Sequence, residues 1–292
     1  MDKPACGCYD VREVNFMAAL TPPLLFDGAT GTALLARGLR FDCPERLNLT
    51  HPDAVLAVHR AYVEAGADVI ETNTLGANPL RLRAFGLEAE CERITEAAVL
   101  NARASGARFV ACSVGTTLAY GSVSDDELLR AFARQMRAAA RAGADLIFCE
   151  TLTRLSEARL MFAAARETRL PFAASFFFSP SGTSPSGDTP RACAQAAQEA
   201  GAALVGLNCV NDAALLLPAL CEMRAACTLP LVAQPGAGLP GHIISPQSFA
   251  ALIAEALRAG ASCVGGCCGT TPAHIRRIAP MLRKKETAHE QI

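Results

Sequence analysis

The chain has 292 residues, 51% of them hydrophobic, with no tryptophan and a formal net charge of -1. That length suits one large α/β domain whose core needs no disulfide support, and the near-zero charge gives no basis for a nucleic-acid or anionic-membrane partner. No apolar run reaches the roughly 20 residues that span a bilayer, and Met1-Asp2-Lys3-Pro4 opens no signal peptide, so a cytoplasmic protein is expected.

Residues 1–20 read as an irregular arm, 21–282 as one domain, and 283–292 as a charged tail that frays. Within the domain, strand-length apolar runs alternate with helix-length amphipathic stretches. The strands are expected at Leu24–Ala29, Ala67–Thr72, Arg108–Val114, Ala144–Glu150, Pro171–Phe178, Ala202–Asn208, Pro230–Gln234 and Ser262–Gly266. They are continuous β-rich runs, as parallel strands buried on both faces require. Helices are expected at Asp53–Glu64, Asp125–Arg141, Ala213–Ala225 and Pro246–Ala259. Ser124 with Glu127 forms a capping-box pattern, and Ser245-Pro246 puts proline at a first helical position. Ala-Gly-Ala recurs at residues 65–67, 142–144, 200–202 and 259–261, each time between a helix and a strand. The glycine suits a left-handed helix C-cap. Eight strand–helix units in strict alternation predict a single (βα)8 TIM barrel, with a doubly wound sheet as the fallback. No glycine-rich dinucleotide fingerprint follows the first strand.

A barrel of this type carries its chemistry at the C-terminal ends of the strands. Those ends read Asp27-Gly28-Ala29-Thr30-Gly31-Thr32, Glu71-Thr72-Asn73-Thr74, Cys149-Glu150-Thr151, Asn208-Cys209 and Gly265-Gly266-Cys267-Cys268-Gly269-Thr270. Three thiols therefore converge on one mouth. Adjacent strand residues face opposite ways, so Cys267 and Cys268 can share an ion only if the chain leaves regular β geometry, which the flanking glycines allow. Three thiolates with one open position describe a catalytic zinc site, and soft sulfur selects zinc over magnesium or calcium. The bland alternative is a pair of buried cysteines in a chain that has 13 of them. Cys91, Cys112, Cys149, Cys193, Cys221, Cys227 and Cys263 lie in apolar segments and read as packing residues; Cys6 and Cys8 form a close pair in the arm. Asp27 and Glu150 are either helix caps or acceptors for a substrate ammonium, with the N–H groups of Gly28–Gly31 free to hold a carboxylate. His51 and His59 read as structural or surface residues.

Taken in order, the strand-end motifs together with Pro44-Glu45-Arg46-Leu47-Asn48-Leu49 and Gly265–Pro272 resemble the homocysteine S-methyltransferase family over residues 24–282. The pattern is most similar to the homocysteine-binding module of cobalamin-dependent methionine synthases. The resemblance implies a zinc ion on Cys209, Cys267 and Cys268, with homocysteine sulfur as fourth ligand. It also implies Asp27 and Glu150 at the amino-acid end, with Gly28, Thr72 and Asn73 beside them. Three segments depart from the family pattern. Pro235-Gly236-Ala237-Gly238 stands for Pro-Asn-Ala-Gly, Gly115-Thr116-Thr117 for Gly-Pro-Thr, and Leu75 for Phe. The 292 residues hold no folate or cobalamin domain, so methyl is expected from methylcobalamin on a separate corrinoid protein. An S-methylmethionine- or betaine-type donor, caged by Phe176, Phe177 and Phe178, is the alternative within the enzyme class. A non-catalytic zinc- or thiol-binding barrel is the alternative outside it.

Overall fold

The computed structural model describes residues 23–239 and 241–289, together with Phe16. The expected arm, with Cys6 and Cys8, lies outside these residues apart from Phe16. Seven parallel strands form one sheet in the order β1 (Val69–Glu71), β2 (Phe109–Val114), β3 (Leu146–Leu152), β4 (Phe172–Phe176), β5 (Leu204–Asn208), β6 (Leu231–Gln234) and β9 (Ala261–Val264). Leu25 bridges to Val264 and Phe26 to Val69, so the eighth stave joins the two edges and closes the barrel. The expected first strand over Leu24–Ala29 shrinks to these two bridging residues, because the chain turns at Asp27 into α1 (Thr30–Ala36). Between β6 and β9 lies a small hairpin absent from the sequence reading, β7 (Gly238–Leu239) and β8 (His242–Ile243).

The helices pack outside the sheet. In order they are α1, α2 (Leu47–Thr50), α3 (Pro52–Glu64), α4 (Pro79–Leu82), α5 (Cys91–Arg103), α6 (Asp125–Ala142), α7 (Leu155–Glu167), α8 (Pro190–Glu199), α9 (Ala213–Ala226), α10 (Pro246–Arg258) and α11 (Pro272–His289). The four helices expected by number lie within one residue of their expected bounds. All four Ala-Gly-Ala glycines, Gly66, Gly143, Gly201 and Gly260, have φ between 83° and 105° as left-handed caps. Ser124 accepts the Glu127 N–H at 3.2 Å, but the Glu127 carboxylate pairs with Arg83 instead of closing the capping box. α11 continues past 282 into the stretch expected as a tail.

Two apolar layers follow from strand periodicity. Residues pointing into the barrel form a compact interior of Phe16, Leu24, Phe26, Val69, Phe109, Ala111, Leu146, Phe148, Ala173, Leu204, Val232 and Cys263. Residues of opposite parity, such as Val110, Ile147, Ala174 and Val205, pack against the helices. Of the cysteines read as packing residues, all are buried except Cys221, which lies off the buried Leu216, Ala219, Leu220 and Met223 stripe of α9. Among the described residues no helix is long and apolar enough to cross a membrane.

His59 in α3 is fully buried, and neither ring nitrogen has a partner among the described residues. Burial pushes its imidazole down to about 4. The unfolded chain therefore binds a proton near pH 6.5 that the fold refuses, and stability falls as pH drops from about 6.5 to about 4. His59→Leu should remove roughly 3 kcal/mol of this acid dependence. Urea unfolding at pH 7 and pH 4.5 checks this: parallel pH dependence in variant and wild type would contradict it.

Candidate metal centre and substrate cavity

The inward rows that build the interior continue past it and change chemistry. Two residues beyond Ala111 comes Ser113, beyond Phe148 comes Glu150, beyond Ala173 comes Ser175 and beyond Val232 comes Gln234. Glu71 follows Val69 and Gly28 follows Phe26 in the same way, and Asn208 and Cys267 sit four residues beyond Leu204 and Cys263. Period-2 geometry thus stacks a polar tier on an apolar one. Above it opens a cavity of about 400 Å³ whose wall includes Glu71, Ser113, Glu150, Asn208, Gln234 and Cys267.

The three strand-end cysteines come together here, with Cys267 and Cys268 on the cavity wall. Their sulfurs all lie within 4.8 Å of one another. Cys268 Sγ is 3.8 Å from that of Cys209 and 4.0 Å from that of Cys267. Cys209 and Cys267 are joined as a disulfide with Cα atoms 5.3 Å apart, within the usual span of such a bond, so the expectation of three free thiols requires reduction of this pair. Cys209 reaches the site by adopting a left-handed φ of 59°, as does Thr151 at 54° on the neighbouring strand end. Such conformations cost non-glycine residues roughly 1–2 kcal/mol and are concentrated where function imposes them.

The glycines around Cys267 act mainly through close packing. A β-carbon on Gly265 would lie 2.6 Å from Cβ of Phe26, and one on Gly266 would lie 2.5 Å from Thr270 Oγ1. Only Gly269 has a left-handed φ, 79°. Backbone bonds then fix the turn: Gly266 N–H donates to Asp27 O at 2.8 Å and Cys267 N–H to Pro235 O at 3.0 Å, while Cys268 O accepts from Ala237 N–H at 2.8 Å. The hairpin segment that departs from the family pattern therefore buttresses the cysteine turn.

Glu150 is nearly buried at 9% exposure and is oriented by the Ser113 hydroxyl and by Asn208 Nδ2 at 3.2 Å. Asn208, fully buried, is the hub that the sequence reading did not single out. Its Nδ2 also donates to Thr151 Oγ1 at 2.8 Å and lies 3.7 and 3.8 Å from the sulfurs of Cys209 and Cys267. Its Oδ1 accepts from Thr151 N–H and the Ser175 hydroxyl, both at 3.0 Å. Glu71, also missed, accepts from Gln234 Nε2. Burial raises the pKa of Asp27, Glu71 and Glu150, and repulsion among them raises Asp27 and Glu71 further. Burial, reinforced by the Glu150 charge, also raises the Cys268 thiol. A site this rich in acid and thiol favours a bound cation.

Asp27, expected at the amino-acid end, is 1% exposed, takes the Glu71 N–H on both carboxylate oxygens at 3.2 and 3.3 Å, and lies near enough to Glu150 to feel its charge. Gly28, Thr72 and Asn73 line the cavity. Thr72 Oγ1 lies 2.5 Å from Thr74 Oγ1, and Asn73 Nδ2 is committed to Pro44 O at 2.7 Å. The N–H groups of Thr30, Gly31 and Thr32 open α1 at the cavity wall with no partner among the described residues, whereas that of Ala29 is taken by Thr270 Oγ1. Phe176 and Phe178 are buried and stacked on each other, and the aromatic residues on the cavity wall are Phe41 and Phe85.

Residues 24–282 match the homocysteine S-methyltransferase family, and the chain belongs to it. It is a methyltransferase fold with close solved counterparts. The homocysteine methyltransferase MmuM from Escherichia coli in its metallated form is 27% identical, with a TM-score of 0.80 over 92% of this chain and 99% of that one. Its oxidized form superposes with a TM-score of 0.82 at the same identity and coverage. The methionine synthase of Mycobacterium tuberculosis is 30% identical over 91% of this chain, which spans only 25% of that protein.

Asn208→Ala would leave Glu150, Thr151 and Ser175 short of buried partners, each such loss being worth roughly 1–3 kcal/mol. Its unfolding free energy in urea should fall by at least that amount. A change under about 0.5 kcal/mol, as for ordinary surface substitutions, would contradict the hub.

Proposed function

We propose that this chain methylates the sulfur of homocysteine to form methionine, with zinc held by Cys209, Cys267 and Cys268. The convergence of three sulfurs within 4.8 Å of one another, two of them from residues on the wall of an acid-lined cavity, carries the reading. Once the Cys209–Cys267 pair is reduced, the donor set fits the ion. Tetrahedral zinc with sulfur arms of about 2.3 Å sets sulfurs about 3.8 Å apart, and Cys268 stands 3.8 and 4.0 Å from its two partners. Zinc, when bound, keeps a thiol in its nucleophilic thiolate form at neutral pH.

The remaining tasks fall to the chain. Glu150, fixed by Ser113 and Asn208, receives the substrate ammonium. The first turn of α1, with Gly28, offers N–H groups to the carboxylate, and Thr72 and Asn73 wall the space between. Asp27 joins Glu150 at the amino-acid end, accepting from the Glu71 N–H and adding negative charge to the site. The sulfur–methyl bond forms as the donor–methyl bond breaks, the electron pair leaving with the donor. No side-chain base is needed in that step.

For the donor we infer methylcobalamin on a separate corrinoid protein. Among the exposed large hydrophobics, Leu35, Phe85, Leu118, Leu239, Ile243 and Ile244 all lie in segments that follow strand C-terminal ends; Leu100 on α5 is the exception. An apolar rim around the mouth suits a protein carrier. Phe41 and Phe85 on the cavity wall favour the second reading, a small sulfonium or ammonium donor whose cation meets aromatic faces.

Methionine formation from homocysteine, assayed with methylcobalamin, S-methylmethionine and betaine at equal concentration, tests the activity. Turnover is expected, fastest with methylcobalamin; no turnover with any donor would refute the function, and a faster small donor would replace the corrinoid. Reduced protein should bind about one zinc per chain. Cys209→Ala, Cys267→Ala and Cys268→Ala should each abolish turnover in a folded protein, while Cys91→Ala and Cys193→Ala retain it; a Cys268→Ala enzyme of wild-type rate would overturn the ligand set. Glu150→Gln should weaken homocysteine affinity ten- to hundredfold in calorimetry, the worth of one charge-assisted hydrogen bond, with zinc content unchanged.

A further inference from the structure

The cavity, about 400 Å³, is larger than homocysteine alone requires. Among the described residues its wall includes the acidic residues Asp42, Glu45, Glu71 and Glu150 and a single basic one, Arg81. We propose that Arg81 engages an anionic group, a carboxylate or a phosphate, on the methyl donor. The proposal rests on the methyltransferase reading above and adds to it the donor chemistry that the cavity recognises.

Arg81 stands on a short, well-fixed turn. Its N–H donates to the fully buried Asn78 Oδ1 at 3.0 Å, and Pro79 opens α4. The guanidinium lies over Gly76: a β-carbon there would come within 3.1 Å of its Nε and 3.2 Å of its Cζ. Although Glu45 flanks the same glycine, its carboxylate is engaged elsewhere, by Gly76 N–H at 2.7 Å and by the Cys43 thiol at 3.3 Å. Among the described residues the Arg81 side chain makes no hydrogen bond, ion pair or aromatic contact. Two arginines outside the cavity are held instead by the fold: Arg103 by Asp145 at 2.6 Å, and Arg134 by Glu92 at 2.5 Å together with two carbonyls. A guanidinium with all its donors free, positioned on a cavity wall, fits a planar or tetrahedral oxyanion by its fork geometry.

The anion belongs to the donor on grounds of position. Homocysteine is anchored at the thiols, at Glu150 and at the first turn of α1. Arg81 instead sits in the segment after β1, which also brings Phe85, 46% exposed, to the cavity wall. Small onium donors of amino-acid or betaine type carry a carboxylate. A corrinoid with its nucleotide tail carries a phosphate.

Arg81→Gln and Arg81→Lys, both zinc-loaded, test the assignment through steady-state kinetics with four donors. These are methylcobalamin, methylcobinamide (which lacks the nucleotide phosphate), S-methylmethionine and S-methylmethionine amide. With the anionic donor that works, Arg81→Gln should raise the donor KM about ten- to hundredfold at nearly constant kcat, and Arg81→Lys should raise it less. The matching donor without its anion should show one KM in wild type and variants. Immunity of methylcobinamide identifies the phosphate, and immunity of the amide the carboxylate. Homocysteine affinity by calorimetry should not change. An unchanged donor KM in Arg81→Gln overturns the proposal, as does a matching loss with the anion-free donor or a loss of homocysteine affinity. Wild-type protein that makes methionine from no donor would overturn the methyltransferase reading itself, and this assignment with it.

Discussion

Neighbouring residues on a strand point in opposite directions, and the whole site depends on how the chain escapes that rule after Val264. Cys267 continues the inward row of Cys263 and Gly265, whereas Cys268 by parity belongs outside. It is brought back to within 4.0 Å of Cys267 by a turn with Gly269 in a left-handed conformation. The turn can lie flat against its neighbours only because Gly265 and Gly266 carry no β-carbon. Cys209 makes the complementary move from β5 by adopting a positive φ itself. Two local departures from β geometry, on different strands, produce one three-sulfur cluster.

The cluster needs a frame, and the barrel supplies it through the same periodicity that builds its core. One inward row carries Phe148 in the apolar interior and Glu150 in the polar tier, and another carries Leu204 and then Asn208. Stability and chemistry are thus separated by height along the barrel axis. Asn208 ties the polar tier together, since one amide contacts the carboxylate on β3, the hydroxyl on β4 and the sulfurs themselves. The raised carboxyl and thiol pKa values are the electrostatic consequence of gathering acids where water is scarce.

Much of this was legible in the sequence. Apolar runs alternating with helices, and the four Ala-Gly-Ala corners, identified the barrel; the strand-end cysteines identified the cluster. For Asp27 the sequence offered a strand-end carboxylate but not its partner, the Glu71 N–H, which only the folded chain supplies. Glu71, Ser113, Asn208 and Gln234 were recoverable by extending each inward row two residues past its last hydrophobe. The β7–β8 hairpin gave no signal, being two short strands in a glycine- and proline-rich stretch. Arg81 was equally silent, since only the folded chain reveals which arginine stands on the cavity wall.

The central claim is that substrate sulfur joins Cys209, Cys267 and Cys268 on one zinc ion. X-ray absorption at the zinc edge of the reduced, zinc-loaded protein, recorded before and after addition of homocysteine, tests it most directly. The account predicts three sulfur ligands and one lighter ligand in the free protein, and four sulfurs at about 2.3 Å once homocysteine is bound. Sulfur coordination that stays the same on adding homocysteine would contradict it.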